Sequence, residues 1–182
     1  MSMLSRLLSR STAAERLVIE PMRRRDLTAI QSIERQVYPK PWTIGVFTGE
    51  LDLAKQGQRS YVSAFLRGQL VGYAGMMFNM DEAHITNIAV DPARQREGIG
   101  RRLLAELAWD ARNHHCVGLT LEVRMSNVAA QGLYTEFGFE AAGVRKNYYE
   151  NVEDAIVMWC HDIGSVEYGQ RLCALCPQAA SS

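Results

Sequence analysis

The chain has 182 residues, equal numbers of acidic and basic side chains, and 47% hydrophobic residues. This length and composition favour one folded domain over a disordered chain. The balanced charge argues against a nucleic-acid-binding surface, because phosphate contacts require clustered positive charge. No apolar run reaches the ~18 residues that a membrane helix needs, so we expect no membrane association.

Three segments differ in their residue patterns. Residues 1–16 are rich in Arg and Ser and contain no acid before Glu15, which superficially matches an organelle transit peptide. We predict a flexible N-terminal extension there. Residues 17–163 carry the periodic patterns of one domain. Residues 164–182 show no clear periodicity, and we predict a C-terminal tail.

The cysteines and histidines do not predict a metal site or a disulfide framework. The cysteines are too few to staple a chain of this size, which favours a reducing compartment and a cytoplasmic location. Cys173 and Cys176 form a lone CxxC pair without neighbouring histidines, whereas zinc needs four ligands. We therefore predict no metal and interpret the histidines as structural: His84, His114, His115 and His161.

In chain order, the first elements are a short strand over 17–21 and two helices. Asp26 is a candidate N-cap for the first helix, and Thr43 is a candidate N-cap for the second. Pro39 and Pro41 separate the two helices, because proline cannot continue a helix.

The rest of the domain alternates between strand and helix periodicity. Apolar residues at spacings of three and four predict a helix over 99–114, and a second is predicted over 127–137. Strands are predicted over 61–66, 69–78, 82–90, 117–123, 139–144 and 155–161. This order predicts a mixed α/β fold in which helices pack on a central sheet.

The loop over 95–100 joins a strand end to a helix start and is a candidate pyrophosphate site. The first turn of a helix has unpaired N–H groups and a partial positive charge, and glycine lets an anion approach the backbone. The loop is neither a Walker A motif nor a dinucleotide fingerprint, and alone it also fits an ordinary helix start. We expect the acidic Glu97 to face solvent. The candidate anion-binding residues are Arg96, Glu97, Gly98, Ile99, Gly100 and Arg101.

Three motifs in order resemble the GNAT acetyltransferases. Asn87-Ile88-Ala89-Val90-Asp91-Pro92, followed by Gln-x-x-Gly-x-Gly, resembles their acetyl-CoA signature, and residues 121–127 and 133–139 resemble the second half of the superfamily. Pro41-Trp42, Leu-Glu-Val-Arg, Asn147-Tyr148-Tyr149 and Glu153-Asp154-Ala155 further resemble the RimI-type alanine N-acetyltransferases. The resemblance covers about residues 18–163 and implies a twisted, mostly antiparallel sheet of about seven strands with four helices.

The resemblance implies transfer of an acetyl group from acetyl-CoA to the N-terminal α-amine of a protein. It points to a ribosomal protein that begins with Ala or Ser. Two alternatives stay open: a GNAT enzyme that acetylates a small-molecule amine, and an acyl-CoA-binding protein without catalytic turnover. Fold alone does not separate them.

Two residues are catalytic candidates. A peptide α-amine has a pKa near ~7.7–8.0, so a modest base suffices. Glu122, on a buried strand, is the candidate base, directly or through a water, and the resemblance points to the same position. Tyr134 is the candidate acid for the departing thiolate. The alternatives are that Glu122 only pairs with Arg124 or caps a neighbour, and that Tyr134 is a core residue with a satisfied hydroxyl.

Binding residues are assigned with similar alternatives. The strand over 88–90 is expected to add the pantetheine amides to its edge, and the resemblance implies that the Val90 N–H donates to the oxyanion. Asn127 is expected to contact the cofactor or to cap a helix. Loop aromatics wall a peptide slot or serve as packing anchors. These strand and wall residues are Ile88, Ala89, Val90, Tyr38, Trp42, Tyr148 and Tyr149.

Overall fold

A seven-stranded sheet organises the protein, whose computed structural model describes residues 17–179. The strand order is β1-β2-β3-β4-β5-β7-β6. Every neighbouring pair is antiparallel except β4 and β5, which are parallel. The predicted mixed, mostly antiparallel sheet is thus confirmed. The strands are β1 (Leu17–Pro21), β2 (Arg59–Leu66), β3 (Gln69–Asn79), β4 (Glu82–Val90), β5 (Gly118–Arg124), β6 (Glu140–Tyr149) and β7 (Glu153–Cys160).

Helices cover both faces of the central strands. Ala74 and Met76 of β3 belong to the hydrophobic cluster that contains α3, whereas Tyr73 belongs to the cluster that contains α1 and α2. Because both faces are covered, six successive β3 residues from Val71 to Met76 are buried. The helices of the described residues are α1 (Leu27–Val37), α2 (Ile44–Ala54), α3 (Ile99–Asn113), α4 (Val128–Glu136) and α5 (Val166–Leu175).

The parallel strands β4 and β5 pair over only part of their lengths. Their register runs from Glu82 opposite Gly118 to Ile85 opposite Leu121. Beyond that point β4 continues to Val90 and β5 to Arg124 without pairing to each other. The two strands therefore leave a gap in the middle of the sheet.

Two of the three predicted helix caps are confirmed. Thr43 Oγ1 accepts from the Val46 N–H at 3.3 Å, and Asn127 Oδ1 accepts from the Ala130 N–H at 3.2 Å. The prediction for Asp26 is wrong, because its side chain makes no capping bond although it occupies the N-cap position. Its carboxylate instead accepts from the Arg23 N–H at 2.8 Å and from Ser63 Oγ at 3.3 Å, which ties the turn before α1 to β2.

The segment predicted as a C-terminal tail contains α5, a fifth helix beyond the four that were predicted. Ser165 caps it by accepting from the Tyr168 N–H at 3.1 Å. Its buried side chains, Tyr168 and Leu172, pack into the same cluster as α3. The sequence did not reveal this helix because most of its apolar residues lie together at its end, from Leu172 to Leu175, and do not repeat at spacings of three and four along its length. The extension predicted for residues 1–16 lies outside the described residues, and the domain boundaries stay predictions.

The packing of α5 can be measured at Leu172, whose side chain is fully buried. Replacing it with Ala should lower the free energy of unfolding by about 2–4 kcal/mol, because it removes buried methyl groups and leaves a cavity. Val166→Ala is the matched control on the same helix, since Val166 is 69% exposed and should change little. Urea denaturation measures both variants, and equal losses would contradict the packing of α5 on the core.

Candidate active site

A cleft of about 270 Å³ opens where β4 and β5 separate. Its walls come from β4, β5, α4, the segment between α1 and α2, and the turn between β6 and β7. Tyr148 lies outside this lining and is 47% exposed. The predicted residues that line the cleft are Tyr38, Trp42, Ile88, Glu122, Asn127, Tyr134 and Tyr149.

The free edge of β4 faces the gap. The Asp91 N–H donates to the Val71 carbonyl of β3 at 2.9 Å, and backbone groups alternate in direction along a strand. The polar groups of Ala89 therefore face β3, whereas those of Ile88 and Val90 face away from it. The Ile88 carbonyl accepts from the Tyr38 hydroxyl at 3.1 Å. This edge suits a ligand that carries amide groups, as pantetheine does.

The glycine loop precedes α3 in a conformation suited to an anion. Gly98 is the N-cap of α3 at φ 80°, and a Cβ there would meet no atom within 4 Å. Arg96 also has a positive φ, of 71°. The N–H groups of the first turn of α3, a helix of 15 residues, lack intrahelical partners and point out of the helix end. The loop therefore fits a diphosphate at this position.

Two charged side chains of this loop, those of Glu97 and Arg101, have protein partners. Glu97 Oε1 lies 3.6 Å from Arg94 Nη1 and its side chain is 43% exposed, in line with its expected orientation to solvent. Arg101 forms an ion pair with Glu136 of α4. This pair connects the start of α3, next to the candidate anion site, to the end of α4.

Glu122 is a buried carboxylate at the centre of the cleft wall, with its side chain 7% exposed. His84 Nε2 lies 3.0 Å from its Oε2, and Arg145 Nη1 lies 3.1 Å from its Oε1. The hydrogen bond from His84, helped by the charges of His84 and Arg145, holds the pKa of Glu122 below its ordinary value despite burial. The carboxylate is therefore ionised at neutral pH.

The alternative pairing of Glu122 with Arg124 does not occur. Arg124 instead contacts Glu150 at 2.8 Å and Glu153 at 3.0 Å. These two ion pairs fix the turn between β6 and β7 against β5. The interpretation of His84 as merely structural overlooked its contact with Glu122, because their proximity depends on the register of two strands distant in sequence.

Tyr134 projects from α4 into the cleft lining and packs against Phe139, with the ring centroids 5.8 Å apart. Burial raises the pKa of Tyr134 above its ordinary value, and the charge of Tyr149 when ionised would raise it further. The phenol is thus protonated at neutral pH, which is the state that a proton donor needs.

Aromatic residues hold both sides of the gap. Tyr149 donates its hydroxyl proton to the Glu122 carbonyl at 3.1 Å, and the Arg124 guanidinium lies 4.1 Å from the centre of its ring. Burial raises the pKa of Tyr149 to about 12. Trp42 lines the opposite side and packs on Phe47 with ring centroids 5.4 Å apart. Tyr149 and Trp42 therefore line the cleft and also pack against the rest of the protein.

Glu34 is a site residue that the sequence analysis missed. Glu34 lies on α1 and is buried. Its carboxylate accepts hydrogen bonds from the Trp42 N–H at 2.6 Å and from the Tyr73 hydroxyl. Burial raises the pKa of Glu34 above its ordinary value. The sequence did contain an indication, because Glu34 lies beside Ile33 on the helix face where the spacing predicts apolar residues.

The two parallel strands separate beside a glycine turn at a helix N-terminus, and the cleft between them contains the ionised Glu122 and the protonated Tyr134. This arrangement is that of an acetyl-CoA-dependent N-acetyltransferase. The chain belongs to the Acetyltransferase (GNAT) family, whose sequence profile matches residues 27–139. The predicted family, activity class and acetyl-CoA dependence are thus confirmed. The roles of individual residues stay predictions.

Curated relatives and solved structures agree with this membership. The [ribosomal protein bS18]-alanine N-acetyltransferase of Escherichia coli K12 is 40% identical over 138 residues, which span 73% of this chain and 89% of that protein. N-alpha-acetyltransferase RimI of Mycobacterium tuberculosis is 39% identical over 142 residues, covering 74% of this chain and 85% of the relative. The crystal structure of the E. coli ribosomal-protein-S18-alanine N-acetyltransferase superposes with a TM-score of 0.73 at 34% identity, covering 81% and 94% of the two chains.

The described part of the chain offers neither a metal cluster nor a membrane-spanning helix. Residues 17–179 contain no group of three or more His, Cys, Asp or Glu side chains placed to hold a metal ion. Within the same range, the helices are too short or too polar to cross a bilayer.

The assignment of the glycine loop can be tested by thermal unfolding with and without acetyl-CoA. A ligand at 100 times its Kd stabilises the folded state by about 2.7 kcal/mol, so acetyl-CoA should raise the Tm. Gly98→Val should remove most of this increase, because valine disfavours the positive φ and its side chain covers the helix N-terminus.

Gly57→Val is the matched control. Gly57 lies in the turn after α2, also has a positive φ, of 73°, and would likewise meet no atom within 4 Å if it carried a Cβ. This variant should lower the Tm but keep the shift with acetyl-CoA. A full shift in Gly98→Val would contradict the anion-site assignment.

Proposed function

We propose that the protein transfers an acetyl group from acetyl-CoA to the N-terminal α-amine of a ribosomal protein that begins with Ala or Ser, in the cytoplasm. The observation that carries this proposal is the likeness to the E. coli enzyme named for the alanine of bS18, over 89% of its length. The aromatic residues Tyr38, Trp42 and Tyr149 support it, since they line the cleft that an extended chain end would enter. The first substrate to test is therefore bS18.

Acetyl-CoA supplies an acetyl group activated as a thioester. In the proposed binding mode, the edge of β4 at Ile88 and Val90 receives its amide groups, and the glycine loop receives its diphosphate. Asn127 already uses Oδ1 to cap α4, so its amide N–H groups are the atoms that would meet the ligand. Each of these contacts uses main chain or a short side chain, which gives the ligand a fixed path through the gap.

The peptide amine enters on the acidic side of the cleft. Glu122 is ionised and lines the wall, so its charge attracts the protonated α-amine. An α-amine has a pKa near ~7.7–8.0 and loses its proton readily, whereas a lysine side chain near ~10.4 does not. Glu122 takes the proton from the amine, and Tyr134, held protonated by burial, donates to the leaving sulfur. A modest base such as Glu122 can therefore deprotonate the α-amine more readily than a lysine side chain.

Replacing Glu122 with Gln should lower kcat by ~10²-fold or more at neutral pH, because the amine loses its proton acceptor. The deficit should shrink at high pH, where the amine is already neutral. Steady-state CoA release between pH 6 and 9 measures both effects. Glu167→Gln on the exposed face of α5 is the control with the same chemical change, and its kcat should equal that of the unmodified protein. If Glu122→Gln also kept the kcat of the unmodified protein, Glu122 would not be the base.

Peptides that begin with Ala or Ser, including the N-terminus of bS18, should be acetylated once, at the α-amine. Mass spectrometry locates the acetyl group, and peptides with a blocked α-amine should not react even when they contain lysine. Trp42→Ala and Tyr149→Ala should raise KM for peptide with little change in the acetyl-CoA thermal shift. Tyr148→Ala should raise KM for peptide less, because Tyr148 is exposed. Modification mainly of lysine, or of a free polyamine, would refute the substrate proposal while leaving the acetyltransferase assignment intact.

A further inference from the structure

Glu34 lines the cleft but has no part in the acetyl-transfer steps proposed for Glu122 and Tyr134. It lies on α1 and is 1% exposed. A carboxylate so deeply buried needs hydrogen-bond donors, because leaving water penalises its charged form. Two donors meet this need, since the Trp42 N–H contacts one carboxylate oxygen at 2.6 Å and the Tyr73 hydroxyl contacts the other. The carboxylate therefore connects the segment between α1 and α2 to β3.

The segment between α1 and α2 depends on contacts with the rest of the fold. Pro39 and Pro41 have no N–H group, so they cannot donate to a regular backbone pattern. Both main-chain polar groups of Trp42 are instead bonded to side chains of α1. Its carbonyl accepts from Gln31 Nε2 at 3.4 Å, and its N–H donates to Glu34. The position of the Trp42 backbone is therefore set by α1.

The Trp42 side chain completes a closed ring of contacts. Its indole packs on Phe47 of α2, with ring centroids 5.4 Å apart, and Phe47 packs edge-on against Tyr73, with ring centroids 5.5 Å apart. Tyr73 donates its hydroxyl proton to Glu34, which also accepts from the Trp42 main chain. Within this ring Glu34 and Trp42 line the cleft, whereas Phe47 and Tyr73 do not. Trp42 is thus attached to the core through its main chain by Glu34 and through its side chain by Phe47.

We propose that Glu34 is a positioning residue for the acceptor peptide, which fixes Trp42 as a wall of the cleft and thereby sets the affinity for peptide; the inference rests on the proposed function. In this role Glu34 transfers no proton and contacts no reacting atom. The wall contacts the peptide equally before and during acetyl transfer, so its loss should raise KM for peptide and leave kcat nearly unchanged.

The first test measures KM and kcat for a peptide with the bS18 N-terminus in variants that remove one or the other hydrogen bond. Glu34→Ala removes the acceptor of the Trp42 N–H, and it should raise KM ~10-fold while kcat stays within about twofold. Tyr73→Phe is the matched control, because it removes the second hydrogen bond to the same carboxylate and leaves the Trp42 bond in place. Both variants should lower the Tm, but Tyr73→Phe should keep the unmodified KM.

Two further replacements of Glu34 separate its hydrogen bond from its charge and its volume. Glu34→Gln keeps a carbonyl oxygen that can accept from the Trp42 N–H, so it should restore most of the affinity for peptide. Glu34→Leu fills similar space without an acceptor and should raise KM as Glu34→Ala does, which keeps the test decisive if Glu34→Ala does not fold. An unmodified KM in Glu34→Leu, or a Glu34→Gln variant as impaired as Glu34→Leu, would overturn the proposal.

The second test asks whether Glu34 acts through Trp42. In a Trp42→Ala background, adding Glu34→Leu should raise KM no further, because the wall is already absent. Additive increases in KM would overturn the proposal. If the enzyme acetylates another amine instead of the bS18 N-terminus, the proposed substrate is refuted, and the same cycle with that amine still decides the role of Glu34.

Amide hydrogen exchange measured by NMR tests the attachment without any substrate. The Trp42 amide proton should exchange with solvent faster in Glu34→Leu than in Glu34→Gln or in the unmodified protein, because only the leucine variant lacks an acceptor for it. Equal exchange of the Trp42 amide in all three proteins would show that Glu34 does not hold this segment, and it would overturn the proposal.

Discussion

The parting of β4 and β5 is the constraint on which the rest of the structure depends. Backbone groups inside a sheet need partners, yet pairing between these strands stops after Ile85 and Leu121. Two tyrosines meet part of this need, because Tyr38 donates to the Ile88 carbonyl and Tyr149 donates to the Glu122 carbonyl. The gap therefore stays open although some of the backbone groups along it have hydrogen-bond partners. A ligand in the gap can supply partners for the remaining groups.

Burial and local hydrogen bonds compete at the acids and the phenols that line this gap. Both kinds of group become harder to ionise when they leave water, and this effect dominates at Tyr134 and Glu34, whose pKa values are raised. At Glu122 the donors His84 and Arg145 outweigh it, so the pKa is lowered. The same cleft thus holds the Glu122 carboxylate charged and the Tyr134 phenol protonated, which is the combination that proton removal and proton delivery require.

The sequence predicted the features that depend on local periodicity and on motifs. The glycine loop, the amphipathic α3 and the caps at Thr43 and Asn127 follow from residues within one turn or strand. One contact that the sequence did not reveal depends on strand register. His84 meets Glu122 only because β4 and β5 pair in parallel, although the two residues are far apart along the chain, and no spacing rule specifies that pairing.

The helix α3 links the anion site to the part of the fold that was least visible in the sequence. Its N-terminus carries the glycine loop, and near its C-terminus Arg112 donates to the carbonyls of Ile163 and Ser165, the latter at 2.7 Å, just before α5. A helix of 15 residues spans about 22 Å, so the two ends are too far apart for direct contact. α5 packs in the same hydrophobic cluster as α3, and the Arg101–Glu136 pair attaches the start of α3 to the end of α4. The position of the first turn relative to the gap is set by both attachments.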